Sequence, residues 1–558
     1  MRAVDAVMEC LKAEGVKHVF GIPGGANLPT YDALYDAGLR HVQCRHEQGA
    51  GHAAEGYAKA SGQVGVALAT SGPGATNLVT AIADAMMDSV PTVFITGQVR
   101  TDLLGTDGFQ EADVTGITMP IVKHSIMIQD PLEIPEAIHE AFHIARTGRP
   151  GPVLVDIPQD LSRAEIPYEP VDSVHLPGYQ PTKEGNTKQI RLAAKALANA
   201  RRPVIYAGGG VVNANASAEL VELAMSDRFP VTCTLMGLGA FPAPHDQWLG
   251  MLGMHGTRSA NYAMDEADLI CCVGARFDDR ITGKLSEFAP RAKFIHIDVD
   301  PAEISKNVPA HIPIVGDAKQ ILPKLCAEYR ALDTDSARLD GWWERVRGWQ
   351  EKHPLGYEDS EGSEIKPQYM IEALYEATGG DAIVTSDVGQ HQMWAAQYFH
   401  FDAPRKWINS GGLGTMGFGL PSAMGAKVAM PDEQVVCVAG DGSIIMNVQE
   451  LATCVTESIA VKVFIMNNGY LGMVRQWQEL FWDGRYSAVD MGSSPDWVKL
   501  AEAFGATGVR VDDKAELPAV MKKVLEAEGP VVCDVRVTPE ENCYPMIPAG
   551  QAARDMVG

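Results

Sequence analysis

The sequence predicts an α/β protein built from three doubly wound parallel-sheet domains, and three observations carry that prediction. Short apolar strand candidates alternate with longer helical patterns along the chain, the arrangement that wraps parallel sheets in helices. At 558 residues the chain is several times longer than one hydrophobic core organises. Two polar, Pro-rich or charged stretches, 166–183 and 332–366, interrupt the alternation and read as linkers. They set the expected domains at 1–170, 185–340 and 365–545.

In order, a first helical pattern covers 4–14, and strands are expected at 64–70, 92–96 and 153–157 in the first domain. The second domain has strands at 204–207, 269–273 and 294–298, and the third at 382–386, 434–439 and 461–466. The first and third domains read as variants of one unit. A strand ending at Thr70 leads into Ser71-Gly72-Pro73-Gly74, a helix and a strand from Thr92. A strand ending at Ala439 leads into Gly440-Asp441-Gly442-Ser443, a helix and a strand from Val461, at the same interval. Two turn chemistries on one unit suggest a ligand shared between related domains, although α/β units also resemble each other without sharing one.

Composition narrows the function. With 46% hydrophobic and 21% charged residues this is an ordinary globular chain. Its 71 acidic against 46 basic residues give a net charge of -25, which repels phosphate backbones and anionic lipid and argues against nucleic acid or membrane as partner. An anionic ligand must then be held by backbone N–H groups, a bound cation or a few placed basic side chains. The ten cysteines form no Cys-x-x-Cys and lie mostly in apolar stretches, so they read as reduced core residues. Asp5 and Glu9 interrupt the apolar core that a signal peptide needs, and no membrane-length apolar run occurs, so the expected address is the cytoplasm.

The strongest chemical pattern is Gly440-Asp441-Gly442-Ser443 followed by Asn468 in Met466-Asn467-Asn468-Gly469-Tyr470. Both follow strand ends, where parallel sheets bind ligands. Asp441 offers a carboxylate oxygen and Asn468 an amide oxygen, the hard donors that Mg²⁺ takes together with diphosphate, and the glycines let backbone amides approach an anion. Either half alone is an ordinary turn or loop; the pair outlines a metal-diphosphate site.

The pattern resembles that of the thiamin diphosphate-dependent enzymes, and the resemblance runs over nearly the whole chain. Within that superfamily the chain is similar to the acetohydroxyacid synthase catalytic subunits. The motifs are His46-Glu47-Gln48-Gly49-Ala50, Thr70 to Asn77, Gly105-Thr106-Asp107-Gly108-Phe109-Gln110-Glu111, Gly274-Ala275-Arg276-Phe277-Asp278-Asp279-Arg280, Gly414-Thr415-Met416-Gly417-Phe418-Gly419 and Met473-Val474-Arg475-Gln476-Trp477-Gln478. The resemblance implies a pyrimidine-binding first domain, an FAD-binding middle domain and a diphosphate-binding third domain.

By that resemblance Glu47 is the catalytic acid/base, exchanging a proton with the cofactor's aminopyrimidine. Met416 props the cofactor into a bent shape and Gly414 accepts from its amino group. Asp441, Asn468 and the Tyr470 carbonyl hold Mg²⁺. Gly440, Gly442 and Ser443, with the turn Val388-Gly389-Gln390-His391, hold the diphosphate, and Pro73, Asn77, Leu471, Gly472 and Met473 complete the cofactor contacts. Gly25, Phe109, Gln110, Met473 and Trp477 line the site of a second 2-keto acid, whose carboxylate Arg276 clamps; an Arg there also suits an ion pair with Asp278 or Asp279.

Gly208-Gly209-Gly210 after a strand, with Asp298 ending another, reads from sequence only as a dinucleotide-like domain, since no Gly-x-Gly-x-x-Gly appears. The resemblance implies FAD without net redox chemistry, held by Arg149, Leu235, Met254, His255, Gly274, Arg276, Asp278, Arg280, Asp298, Val299 and Asp317. Two positions depart from the family: Gln159 stands where Lys is usual, and Ile22 where Tyr is usual before Pro-Gly-Gly. The loss of a cation at 159 bears on acceptor preference and on the response to inhibitors that contact this position.

The implied activity is condensation of pyruvate with pyruvate or 2-ketobutyrate, with loss of CO₂, at the entry to branched-chain amino acid synthesis. The implied assembly is a homodimer or homotetramer with the site between subunits, a separate regulatory small subunit being left open. The alternatives are an FAD-dependent pyruvate oxidase or other thiamin enzyme and a non-catalytic paralogue. A glyoxylate carboligase is disfavoured by Glu47.

Overall fold

The computed structural model describes residues 1–359, 362–492 and 495–558. Ser360 and Glu361, inside the expected second linker, lie outside the described residues. Three six-stranded sheets follow one another along the chain. The first comprises β1 (His18–Gly21), β2 (Arg40–Gln43), β3 (Gly65–Ala69), β4 (Thr92–Gln98), β5 (His124–Met127) and β6 (Pro152–Pro158) in the order β2-β1-β3-β4-β6-β5. All its neighbours run parallel. This is the doubly wound layout that the alternation of apolar strands and helices predicts.

The second sheet comprises β7 (Pro203–Ala207), β8 (Val231–Cys233), β9 (Trp248–Met251), β10 (Leu269–Val273), β11 (Lys293–Asp298) and β12 (Ile312–Val315). Its order, β9-β8-β7-β10-β11-β12, is the 3-2-1-4-5-6 order of dinucleotide-binding sheets. The third comprises β13 (Ile383–Ser386), β14 (Trp407–Ile408), β15 (Val435–Gly440), β16 (Lys462–Asn467), β17 (Thr507–Val511) and β18 (Val531–Arg536). Its order, β14-β13-β15-β16-β18-β17, repeats that of the first sheet. The repeat expected from two turns at one interval is therefore a repeat of whole topology.

The chain divides into two compact units. One holds Met1–Gln180, Asp381–Gln392 and Ile408–Pro539; the other holds Pro181–Gly380, Met393–Trp407 and Glu540–Gly558. The first unit thus combines residues of the first and third sheets. A single buried cluster runs through it from Phe20, Val42 and Phe94 to Phe418, Met424, Ile465 and Val532. The helices Glu47–Ser61 and Gly419–Ala429 cross at glycine. A Cβ at Gly56 would collide with the backbone of Ser422, and one at Gly425 with the carbonyl of Ala53.

In the second unit the core gathers around the second sheet. Here one expectation is corrected. The stretch 332–366 is not simply a linker, because Asp340–Lys352 forms a helix that buries Trp342, Trp343 and Val346 in that core. Trp342 Nε1 donates to the Pro203 carbonyl at 3.1 Å, and Trp343 Nε1 to that of Arg228 at 2.7 Å. The stretch 166–183 carries no helix or strand. All ten cysteines are buried and unpaired with one another. Among the described residues no helix is long and apolar enough to cross a membrane.

Candidate active site

In sheets of this order, ligands sit beyond the carboxyl ends of the two strands from which the chain winds in opposite directions. In the third sheet those strands are β13 and β15. β13 ends at Ser386 and runs into Asp387-Val388-Gly389-Gln390-His391; β15 ends at Gly440, directly before Asp441. The neighbouring β16 ends at Asn467, directly before Asn468. Three turns singled out from sequence therefore meet at one sheet edge.

Their side chains are locally fixed. Asp441 and Ser443 are buried, and Ser443 Oγ accepts the Gly440 N–H at 3.2 Å. Asn468 Oδ1 accepts the Tyr470 N–H at 3.0 Å, while its Nδ2 donates to Gln390 Oε1 at 3.4 Å, tying the third turn to the first. Gln390 Nε2 donates to Gln476 Oε1 at 2.8 Å. A Cβ at Gly472 would collide with Gln390 Oε1 and stand 2.7 Å from Asn468 Nδ2, so a side chain here would displace the amides that tie the turns together. His391 is buried, burial holds its ring down to about 3, and its Nε2 has no hydrogen-bond partner among the described residues. Neutral imidazole with an orphaned buried nitrogen, beside hard oxygen donors, fits a polar ligand and its cation.

In the first sheet the corresponding strands are β1 and β3. The Glu47–Ser61 helix starts with His46 as its cap, His46 Nδ1 accepting the Gln48 N–H at 3.1 Å. Glu47 is buried; its Oε2 accepts from Asn77 Nδ2 at 2.9 Å, and a Cβ at Gly74 would lie 3.2 Å from its Oε1. Glu450, from the Glu450–Thr456 helix after the Asp441 turn, accepts the N–H groups of Arg45 and His46, the latter at 2.9 Å. Burial pushes Glu450 up to about 7. The turn that delivers Glu47 is thus fastened by the third sheet's layer.

The remaining predicted positions of this unit are more open. Gly25 is exposed, and its carbonyl accepts from Gln159 Nε2 at 2.8 Å, so the departure at 159 touches the turn after β1 directly. Phe109 is 89% exposed, Pro73, Gly414 and Trp477 are exposed, and Val388, Gly389, Met416, Leu471 and Met473 are half-buried. Gln110 adopts a left-handed φ of 61°, with its Cβ where a side chain on Gly72 would fall. Ile22 packs at the edge of the shared core.

In the second unit the opposite-winding strands are β7 and β10. Gly208-Gly209-Gly210 follows β7 and Gly274 follows β10. A Cβ at Gly210 would stand 2.7 Å from Gly274 Cα, and one at Gly208 would collide with the Gly274 carbonyl, so the two turns press backbone to backbone. Asp278 caps the next helical turn, accepting the Arg280 N–H at 3.0 Å, and burial raises its carboxyl against the pull of Arg276. Asp298 ends β11 and accepts the Asp300 N–H at 2.9 Å, with Val299 following it. Asp317 accepts the Lys319 N–H at 2.8 Å.

Leu235 lies in the turn after β8, and the Met254 N–H donates to the Arg280 carbonyl at 2.8 Å. His255 is buried and held down to about 4 by burial, and its Nδ1 is orphaned, as are Tyr206 Oη and Thr234 Oγ1. Orphaned polar atoms at a dinucleotide-type sheet fit a polar cofactor. Arg149 belongs to the other unit, where its Nε donates to Ser89 Oγ at 2.8 Å.

Comparison with known proteins bears on all three sheets. Residues 1–117 match the N-terminal TPP binding domain of thiamine pyrophosphate enzymes, 190–325 their central domain and 387–535 their C-terminal TPP binding domain. The acetolactate synthase large subunit of Mycobacterium tuberculosis is 51% identical over 99% of this chain and 92% of its own length. The chain belongs to the acetolactate synthase large-subunit family. Another member, the isozyme 3 large subunit of Escherichia coli acetolactate synthase, is 50% identical over 98% of the chain and 96% of its own length. The Haemophilus influenzae acetolactate synthase large subunit is 48% identical over 100% and 98%. Membership in this acetolactate synthase family makes the chain a thiamine-dependent enzyme by descent.

Sequence reasoning passed over Asp387 and Glu450, and a buried group formed by His52, Glu55 and Asp84. None lies in a short motif of its own. Glu450 and Asp84 meet their partners only through helix packing; Asp387 stood one residue before a turn already singled out.

Proposed function

We propose that this chain decarboxylates pyruvate and joins the two-carbon remainder to a second 2-keto acid, giving 2-acetolactate or 2-aceto-2-hydroxybutyrate for branched-chain amino acid synthesis. The carrying observation is the buried Glu47 carboxylate at a helix start, held through one oxygen by Asn77 at 2.9 Å. When bound, thiamin diphosphate supplies a carbon nucleophile that takes up the keto acid and holds the electron pair left as CO₂ departs.

Glu47 has one oxygen occupied by Asn77, so the other is the one that exchanges a proton with the aminopyrimidine. The Gly414 carbonyl and the Met416 side chain would hold the aminopyrimidine part of the cofactor. Asp441, Asn468 and the Tyr470 carbonyl would hold Mg²⁺. The turns 440–443 and 388–391, through the backbone N–H groups of 441–443 and 389–391 and through His391 Nε2, would hold the diphosphate. Pro73, Asn77, Leu471, Gly472 and Met473 enclose the cofactor and keep water from the reacting carbon. Gly25, Phe109, Gln110, Met473 and Trp477 would line the acceptor pocket.

FAD is proposed for the second unit, on Gly208–Gly210, Leu235, Met254, His255, Gly274, Arg276, Asp278, Arg280, Asp298, Val299 and Asp317. The domains are proposed at 1–170, 185–340 and 365–545. Exposed Phe109, Phe481 and Trp482, at 89%, 49% and 66%, support burial against a second copy and thus a homodimer or homotetramer. The relatives' designation as large subunits supports a smaller regulatory partner. Ten buried cysteines that form no disulfide support a cytoplasmic address.

Anaerobic incubation with pyruvate, thiamin diphosphate, Mg²⁺ and FAD tests the reading. Acetolactate without acetyl phosphate is the expected product. Acetyl phosphate on admitting oxygen and phosphate, with no acetolactate, would replace it by the oxidase reading, which the relatives' names disfavour. Adding 2-ketobutyrate in competition then measures the acceptor preference.

A further inference from the structure

Residues 409–417 connect β14 to the Gly419–Ala429 helix and carry both Gly414 and Met416. Much of this loop's backbone bonding goes outward, to side chains of the first sheet's helices. Asp88, closing the Val79–Asp88 helix, accepts two consecutive N–H groups, Gly412 to Oδ1 at 2.7 Å and Gly411 to Oδ2 at 3.1 Å. Lys59, on the Glu47–Ser61 helix, donates to Asp88 Oδ2 at 2.7 Å and to the Asn409 carbonyl at 2.5 Å. Asp84 Oδ1 accepts from Ser410 Oγ at 2.7 Å, and Ser410 Oγ in turn accepts the Thr415 N–H at 2.8 Å.

The approach is tight as well as polar. A Cβ at Gly412 would stand 2.9 Å from both Asp88 Oδ1 and Met87 Cβ. The side chains of Lys59 and Asp88 are 11% and 1% exposed, so this is no solvent-screened surface pair: charge-assisted bonds of this kind fix geometry strongly. Beyond Thr415 the far end is pinned from its own layer, Gly417 N–H donating to Asp387 Oδ1 at 2.8 Å and Asn447 Nδ2 to the Gly417 carbonyl at 2.8 Å.

We propose that Lys59, Asp84 and Asp88 are positioning residues, which set the 409–417 loop from the first sheet's layer so that Gly414 and Met416 meet the cofactor in the reactive bend. The proposal deepens the functional reading above and rests on it for the role of Gly414 and Met416. It has a second consequence: one helix begins with the acid/base Glu47 and, near its end, grips the loop through Lys59, so a shift of that helix moves both.

The test combines amide exchange on cofactor-free protein with steady-state kinetics, for Asp88→Asn, Lys59→Met and the milder Ser410→Ala. Asp88→Asn keeps only one accepting oxygen for two N–H groups, and Ser410→Ala removes the Thr415 acceptor without touching a charge. The expected result is at least tenfold faster exchange at Gly411 and Gly412 in Asp88→Asn and at Thr415 in Ser410→Ala. Exchange within the Gly419–Ala429 helix is expected to stay unchanged, which separates loop release from unfolding. In the loaded enzyme kcat is expected to fall by up to about 100-fold, with the KM for pyruvate unchanged, as a displaced positioning group predicts. Unchanged loop exchange in both Asp88→Asn and Ser410→Ala overturns the proposal, and so does faster exchange with unaltered kcat. Failure of the wild-type protein to form acetolactate overturns the functional reading instead, and the exchange result still decides what holds the loop.

Discussion

The first and third sheets share one strand order and differ in what they offer at the crevice that order creates. After β3 comes Ser71-Gly72-Pro73-Gly74, and the partner in reach is a carboxylate, Glu47, held by Asn77 at 2.9 Å. After β15 comes Gly440-Asp441-Gly442-Ser443, and the partners are amide and carboxylate oxygens with an orphaned imidazole nitrogen. Topology supplies a place to bind; the turn residues decide which half of a ligand each place takes. The contrast extends into the strands. β6 and β18 occupy the same position in the two sheets, and each buries an aspartate at 0% exposure, Asp156 and Asp534. Asp156 is met by neutral groups, Thr96 Oγ1 at 2.6 Å and Gln98 Nε2 at 2.9 Å. Asp534 is met by Asn467 Nδ2 at 2.7 Å and by Arg510 Nε at 3.0 Å.

The largest expected effect breaks the division of labour outright. Glu47→Gln should lower acetolactate formation by about 10²–10⁴-fold, the usual worth of general acid–base catalysis, while thiamin diphosphate affinity by titration stays close to wild type. An unchanged rate would deny the first sheet its chemical half. On the third sheet, Asp441→Ala should do the reverse, weakening Mg²⁺-dependent cofactor binding by more than the ~10–100-fold that loss of an outer-shell partner costs a metal site. Retained affinity for metal and cofactor in equilibrium dialysis would remove Asp441 from the ligand set.

The packing that joins the two layers comes next. Gly425→Val forces a side chain into the Ala53 backbone, and denaturant unfolding should register a loss of about 1–3 kcal/mol or more. The pair Asp534→Asn and Asp156→Asn sharpens the comparison at the smallest scale. Asp534→Asn leaves the half-exposed Arg510 with only the more exposed Asp496 carboxylate, at 3.1 Å, and should cost about 1–3 kcal/mol. Asp156→Asn should cost less and act through pH. Burial raises Asp156 from its ordinary 3.8 to about 6, so its protonated form is favoured by folding. That contribution is complete below about pH 4 and is lost as pH rises through about 6. Unfolding midpoints measured from pH 4 to 7 should fall less steeply in Asp156→Asn than in the wild-type protein.

Much of this was legible in local sequence. Strands such as 269–273 and 461–466 announce themselves as unbroken apolar runs because both faces of a parallel strand are covered. The three turns at the edge of the third sheet follow strand ends, which is where such sheets bind. Val231–Cys233 and Trp407–Ile408 are too short to carry a periodic signal. Val531–Arg536 interrupts its apolar run with the buried Asp534, which its pairing with Asn467, Arg510 and Arg536 accounts for. The Asp340–Lys352 helix was obscured by its charged face, although Trp342, Trp343, Val346 and Trp349 hold a helical stripe.

The sequence by itself determined the alternating α/β architecture, the repeated unit and the residues at each strand end, because these depend on hydrophobic period and on turn chemistry within a few residues. Only the tertiary structure decided that the first and third sheets share one core, that Glu450 fastens the turn before Glu47, and that Lys59 and Asp88 grip residues more than half the chain away. Those pairings depend on two helices approaching closely enough that Gly56 and Gly425 have no room for a Cβ. Such an approach is a property of helix surfaces fitting together, and no local spacing encodes it.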